Sequence, residues 1–83
     1  MIETLKDTAD IMTSDDYKER FRAEYHQLKI RYKKLCKFNK AYEDGELEFR
    51  PNCSLDLLRR QERTMEDYLK ILEMRAKIEK VIL

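Results

Sequence analysis

Between residues 21 and 42 the apolar side chains fall at Phe21, Tyr25, Leu28, Tyr32, Leu35 and Tyr42, with Asn39 holding the remaining place in the series. The steps alternate between four and three residues, the spacing of a helix that lays one face on another helix. Ahead of this run stand Thr13, Ser14, Asp15 and Asp16. Such side chains accept hydrogen bonds from the free N–H groups of a helix start, and carboxylates suit its positive dipole end. Behind it stands Gly45, the single glycine, suited to a left-handed C-terminal cap. The pattern predicts a first helix over 14–44. Asn39 on the seam has two readings. Buried, it fixes register and partner number, as a lone seam asparagine does in coiled coils; near the helix end, it faces water.

Residues 45–53 form the connection, with Leu47 and Phe49 alternating with charges and positioned to pin the loop onto the helices. Pro51 blocks helix just before Ser54, which caps a second helix over 54–82 with Asp56 in its first turn. This helix carries two apolar stripes, Leu58–Met65–Leu69–Leu72–Ala76 and, offset from it, Ile71–Met74–Ile78–Ile82. One partner helix covers one stripe, so the surplus predicts self-association. Each helix is about 29 residues and about 43 Å long, and the short loop folds them back on each other. In residues 1–12, Ile2, Leu5, Ala9 and Met12 recur at helical spacing. A short amphipathic helix and a frayed tail are both open there, since isolated short helices are marginal. The expected fold is all-α: an antiparallel two-helix hairpin with a short N-terminal helix, one domain over 1–83, assembled into a homo-oligomer.

Composition narrows the function. A chain of 83 residues with one Gly and one Pro has almost no punctuation for a multi-stranded fold. It buries only a modest core alone. One His, no Gly-rich loop and no nucleophile–base arrangement argue against catalysis, so the chain is expected not to be an enzyme and to hold no cofactor. Cys36 and Cys53 form no C-x-x-C pair, and two Cys with one His do not complete a structural zinc site; free thiols are expected, and no metal. No stretch has the 18 or so near-continuous apolar residues of a membrane span, and the acidic start is no secretory signal. No membrane partner is expected, and the chain reads as cytoplasmic.

Charge changes the picture most. The net charge of +1 conceals segments of opposite sign. Residues 1–16 carry a net −4, residues 18–40 a net +7 from nine bases and two acids, and residues 41–49 a net −4. The first helix is therefore a basic rod between acidic flanks. Arg22, His26, Lys29, Lys33, Lys37 and Lys40 follow one side of its seam, with Tyr25 and Tyr32 beside them. Cations hold phosphates and aromatic rings stack on bases. Arg59, Arg60 and Arg63 open the second helix, and in a hairpin they come near Lys37 and Lys40. Three readings remain: a solvated face whose stems cover apolar surface, an anion or nucleotide site, and a surface for an acidic protein.

The string SDDYKERFRAEYHQLKIRYKKLCKF, followed by CSLDLLRRQERTMEDYLKILEMRAKIE, resembles small phage and prophage proteins that form helical hairpins, over about residues 14–79. The architecture also resembles the phage anti-CBASS sponge, in which a short first segment and a two-helix hairpin assemble into a compact oligomer. That resemblance implies cyclic nucleotides held between protomers by a Tyr and a Lys. Tyr25 with Lys29, or Tyr32 with Lys33, are the candidates by chemistry rather than by motif.

The leading expectation is a phage-encoded counter-defence protein of the host cytoplasm. It sequesters a signalling nucleotide, such as a cyclic oligonucleotide, without catalysis. Arg22, Lys29, Lys33, Arg59, Arg60 and Arg63 would hold phosphates, and Tyr25 or Tyr32 would stack on a base. The alternatives are a protein-binding inhibitor of a host defence complex, similar to an anti-CRISPR, and a structural coiled-coil adaptor.

Overall fold

The computed structural model describes residues 2–83. Two long helices dominate it: α1, Tyr17–Glu43, and α2, Leu55–Glu79. The side-chain bonds between them run in opposite directions along the two chains. Tyr25 Oη donates to Glu73 at 2.6 Å near one end, and Asn39 Nδ2 donates to Glu62 at 2.9 Å near the other. The pair is thus an antiparallel hairpin, 43 Å along its longest axis.

The helix ends follow from local chemistry. Asp16 caps α1 by accepting from the Lys18 N–H at 2.9 Å, so the helix starts at the last of the four candidate caps. At the other end Gly45 takes φ +72°, and the Glu46 N–H bonds the Ala41 carbonyl at 2.8 Å, closing the orphan carbonyls of the last turn. Ser54 caps α2 through the Leu57 N–H at 3.2 Å. That helix ends at Glu79, before the expected Ile82. Lys80 adopts φ 58°, and the Val81 N–H returns to the Ala76 carbonyl at 2.8 Å. The turn folds Val81 back into the core. No glycine marks this stop, and a left-handed lysine costs about 1 kcal/mol. Burial of Val81 offsets that cost.

The core comprises Phe21, Tyr25, Leu69, Leu72, Ala76 and Val81, with Leu28 and Tyr32 packed against it. It sits at the open end of the hairpin, away from the loop. Toward the loop the interface turns polar. Asn39 is fully buried and donates to the Leu58 carbonyl at 3.2 Å as well as to Glu62. Of its two readings the buried one holds, and the bonds it makes are to the opposite helix. Phe49 tilts against Phe38 with ring centroids 6.1 Å apart but stays 61% exposed. It therefore pins the loop less firmly than the alternation with charges implied.

Residues 2–16 form neither a regular α-helix nor a frayed tail. They make two single 3₁₀ turns, Lys6–Thr8 and Ile11–Thr13, laid on α1. Thr8 is fully buried; its hydroxyl donates to the Leu5 carbonyl at 2.6 Å and accepts from Gln27 Nε2 at 2.8 Å. Asp7, inside the first turn, accepts from the Glu3 and Thr4 N–H groups ahead of it, both at 3.0 Å. Local side-chain bonds to the backbone of this kind compete with a regular helix. Cys36 and Cys53 are both free thiols.

Candidate anion-binding trough

The basic positions of α1 sort by what surrounds them. Arg22, His26, Lys29 and Lys33 step along one side of the helix by four, three and four residues. They line two adjoining clefts of about 400 and 460 Å³ that share His26 and Ile2. Glu3, Ile30 and Lys34 complete the first cleft, and Ile82 and Leu83 complete the second. Together they form an open trough along α1, walled by the start of the N-terminal segment and by the residues after α2.

Its electrostatics are one-sided. Among the described residues, Arg22, Lys29, Lys33 and Lys34 make no ion pair, whereas Arg59, Lys40, Lys70 and Arg75 each do. The Lys29 ammonium lies 5.7 Å from the centre of the Tyr25 ring. His26 reports the local field. Burial, and then the cations Lys29 and Arg22, hold its imidazole below the ordinary range. A neutral imidazole between two cations is a site where an anion relieves repulsion. Among the described lining residues, Glu3 alone carries a side-chain carboxylate.

The predicted residues divide accordingly. The structure brings Arg22, Lys29 and Lys33 together on the trough. It places Tyr25 in the core, 5% exposed, with its hydroxyl on Glu73 and its ring edge against His26 at 5.2 Å between centroids. Burial and the Glu73 bond push that phenol up to about 12. Tyr25 therefore presents no open face for stacking. Tyr32 is half-buried against the core, and a bond to Cys36 followed by burial pushes its phenol up to about 12. Arg59 lies at the loop end, paired with Glu43 and with Glu62 at 2.9 Å. Asn39 contacts the same turn of α2, so this cluster is about 15 Å along the axis from Lys29. Arg60 and Arg63 are exposed on α2 and line neither cleft. Lys37 is exposed outside the clefts, and Lys40 pairs with Asp44 at 3.3 Å.

Lining residues missed at the sequence level are Ile30 and Lys34 on α1, and Ile2, Glu3, Ile82 and Leu83 outside the long helices. The positions of the last four depend on how the segments flanking the hairpin fold onto α1, which no helical spacing encodes.

The chain is a small all-α protein: a two-helix hairpin with a docked N-terminal segment, and a trough whose cations make no ion pair among the described residues. Its sequence matches the family model described as Sequestin over residues 15–78, and the chain belongs to that family. No curated protein and no solved structure matches it. Among the described residues, no helix is long and apolar enough to cross a membrane, and no group of His, Cys, Asp and Glu is arranged to hold a metal ion.

Proposed function

We propose that this protein sequesters a cyclic oligonucleotide signal in the α1 trough, without chemistry, as a phage-encoded counter to a host defence system. The observation that carries the reading is the row Arg22–His26–Lys29–Lys33, whose three basic side chains have no acidic partner among the described residues and border open clefts. Surface cations on a stable helix ordinarily find a carboxylate or stand apart in water. Here they converge where apolar side chains from both chain ends exclude part of the solvent, which strengthens phosphate binding. The family's name is compatible with a sequestering, non-catalytic role.

In this account Arg22 forks onto one phosphate and Lys29 and Lys33 hold the next, while His26 contributes a ring and a switchable proton. Inhibition follows from mass action, so the affinity exceeds that of the host effector. Isothermal titration calorimetry with cyclic dinucleotides and trinucleotides tests this. Arg22→Glu and Lys29→Glu each weaken binding at least about tenfold, or about 1.4 kcal/mol, while circular dichroism stays unchanged. Equal affinity in both variants removes the trough from the function.

A further inference from the structure

A furrow of about 490 Å³ runs between α1 and α2, separate from the two clefts of the trough. Leu35 and Phe38 line it from α1, Met65 from α2, and Leu5 from the N-terminal segment. All four are half-buried, so each still offers apolar surface to the furrow. Arg31 and Lys34 supply its charge, and both are exposed. Among the described residues neither makes an ion pair, and no lining residue carries a side-chain carboxylate. Lys34 also borders the trough, so the two sites adjoin along α1. We infer that this furrow docks an acidic amphipathic helix of a partner protein, its apolar side on Leu35, Phe38 and Met65 and its carboxylates on Arg31 and Lys34.

Charge selects the sign of that partner. Two cations with no acid beside them repel a basic segment and draw an acidic one. Spacing selects its shape. Lys34, Leu35 and Phe38 follow Arg31 by three, four and seven residues, one face of α1 over about 10 Å. Gln61 and Met65, about one turn apart, line the facing side from α2. A groove between two helices accepts a third, which meets it with every third or fourth residue. Because Arg31 and Lys34 are one turn apart on α1, the partner's carboxylates are one turn apart as well.

The lining chemistry fits a peptide better than a nucleotide. Apart from the cations, Gln61 is the one described lining residue with a hydrogen-bonding side chain, too little to read the edge of a base. Phe38 is the one aromatic ring in the furrow. Tyr42 and Phe49 already engage it, with centroids 6.5 and 6.1 Å away. A thioether, a phenyl ring and an arginine together are instead the side chains enriched at protein interfaces. The protein thus has a docking face for another protein beside its anion trough, whatever the trough holds.

Surface display of random peptides about twelve residues long, some three helical turns, against the full chain is the test. The selected peptides are expected to carry two Asp or Glu and two large apolar residues, each pair three or four positions apart. In fluorescence anisotropy Arg31→Glu and Gln61→Glu, both at exposed positions, each weaken such a peptide about tenfold with unchanged circular dichroism. Selection of no peptide, selection of peptides without acids, or affinities that both variants leave unchanged overturns the docking furrow. Two further outcomes overturn it by giving the furrow another occupant. A cyclic nucleotide whose affinity falls about tenfold in Arg31→Glu assigns it to the nucleotide. Sedimentation of the wild type as an oligomer that Arg31→Glu dissociates assigns it to a second copy. A chain that binds the acidic peptides and no cyclic nucleotide keeps the furrow, while the sequestering reading falls.

Discussion

At the residue scale, two side chains carry most of the information. His26 reads the trough, because its imidazole is held down by burial and by Lys29 and Arg22. An NMR titration of His26 is expected to give a midpoint below that of a histidine in the unfolded chain, moving upward when an anion fills the trough. The stability consequence has a definite sign. As pH falls from neutrality the unfolded chain takes up the proton first, so stability declines until the folded imidazole protonates. His26→Gln has a flatter urea-midpoint profile across that interval; an identical slope contradicts this. Asn39 reads the hairpin. Asn39→Ala removes both donations to α2 and is expected to cost about 1–3 kcal/mol in urea unfolding. These two residues were legible in different degrees. The seam spacing located Asn39, and burial decided between its two readings. His26 stood in the basic row, but its depressed imidazole depends on neighbours that only packing supplies.

At the element scale, both long helices were legible because each signal was local and redundant. Asp16, Gly45 and Ser54 each close an end that the apolar spacing had already located. Gly45→Ala places its Cβ in open space, so its cost is the left-handed backbone alone, about 1 kcal/mol. Ser54→Ala loses the Leu57 bond at a similar cost of about 1 kcal/mol. Thermal unfolding of both variants checks these values, and a much larger loss at Gly45 would contradict the open space around its Cβ. Two elements were not legible. The N-terminal segment carries a helical apolar spacing, yet Thr8 and Asp7 spend their side chains on nearby backbone and partition it into turns. The end of α2 escaped because Lys80, not a glycine, takes the left-handed position, and the cause lies in the core that Val81 enters.

At the scale of the whole molecule, the division of labour between the two helices explains what one chain does and what it leaves open. The first stripe of α2 builds the core against α1, and the second, equally regular, is left in water. Among the described residues, Arg22, Lys29 and Lys33 on the basic side of α1 are likewise left without acidic partners, although acidic segments flank the helix in sequence. Glu3 alone of those acids reaches the trough, since Asp7 bonds the backbone ahead of it and Asp16 caps α1. Sequence spacing foresaw the surplus stripe and the basic row. The trough itself was not foreseen, because its walls are chain ends brought beside α1 by the fold. The central claim is that this trough holds a cyclic oligonucleotide without altering it. Native mass spectrometry of the purified protein with a panel of cyclic di- and trinucleotides tests that most directly. The account predicts nucleotide bound at a fixed ratio to the chain, released at its original mass on denaturation and absent from the Arg22→Glu, Lys29→Glu double variant. A folded protein that stays bare across the panel, or a double variant that binds as the wild type does, contradicts it.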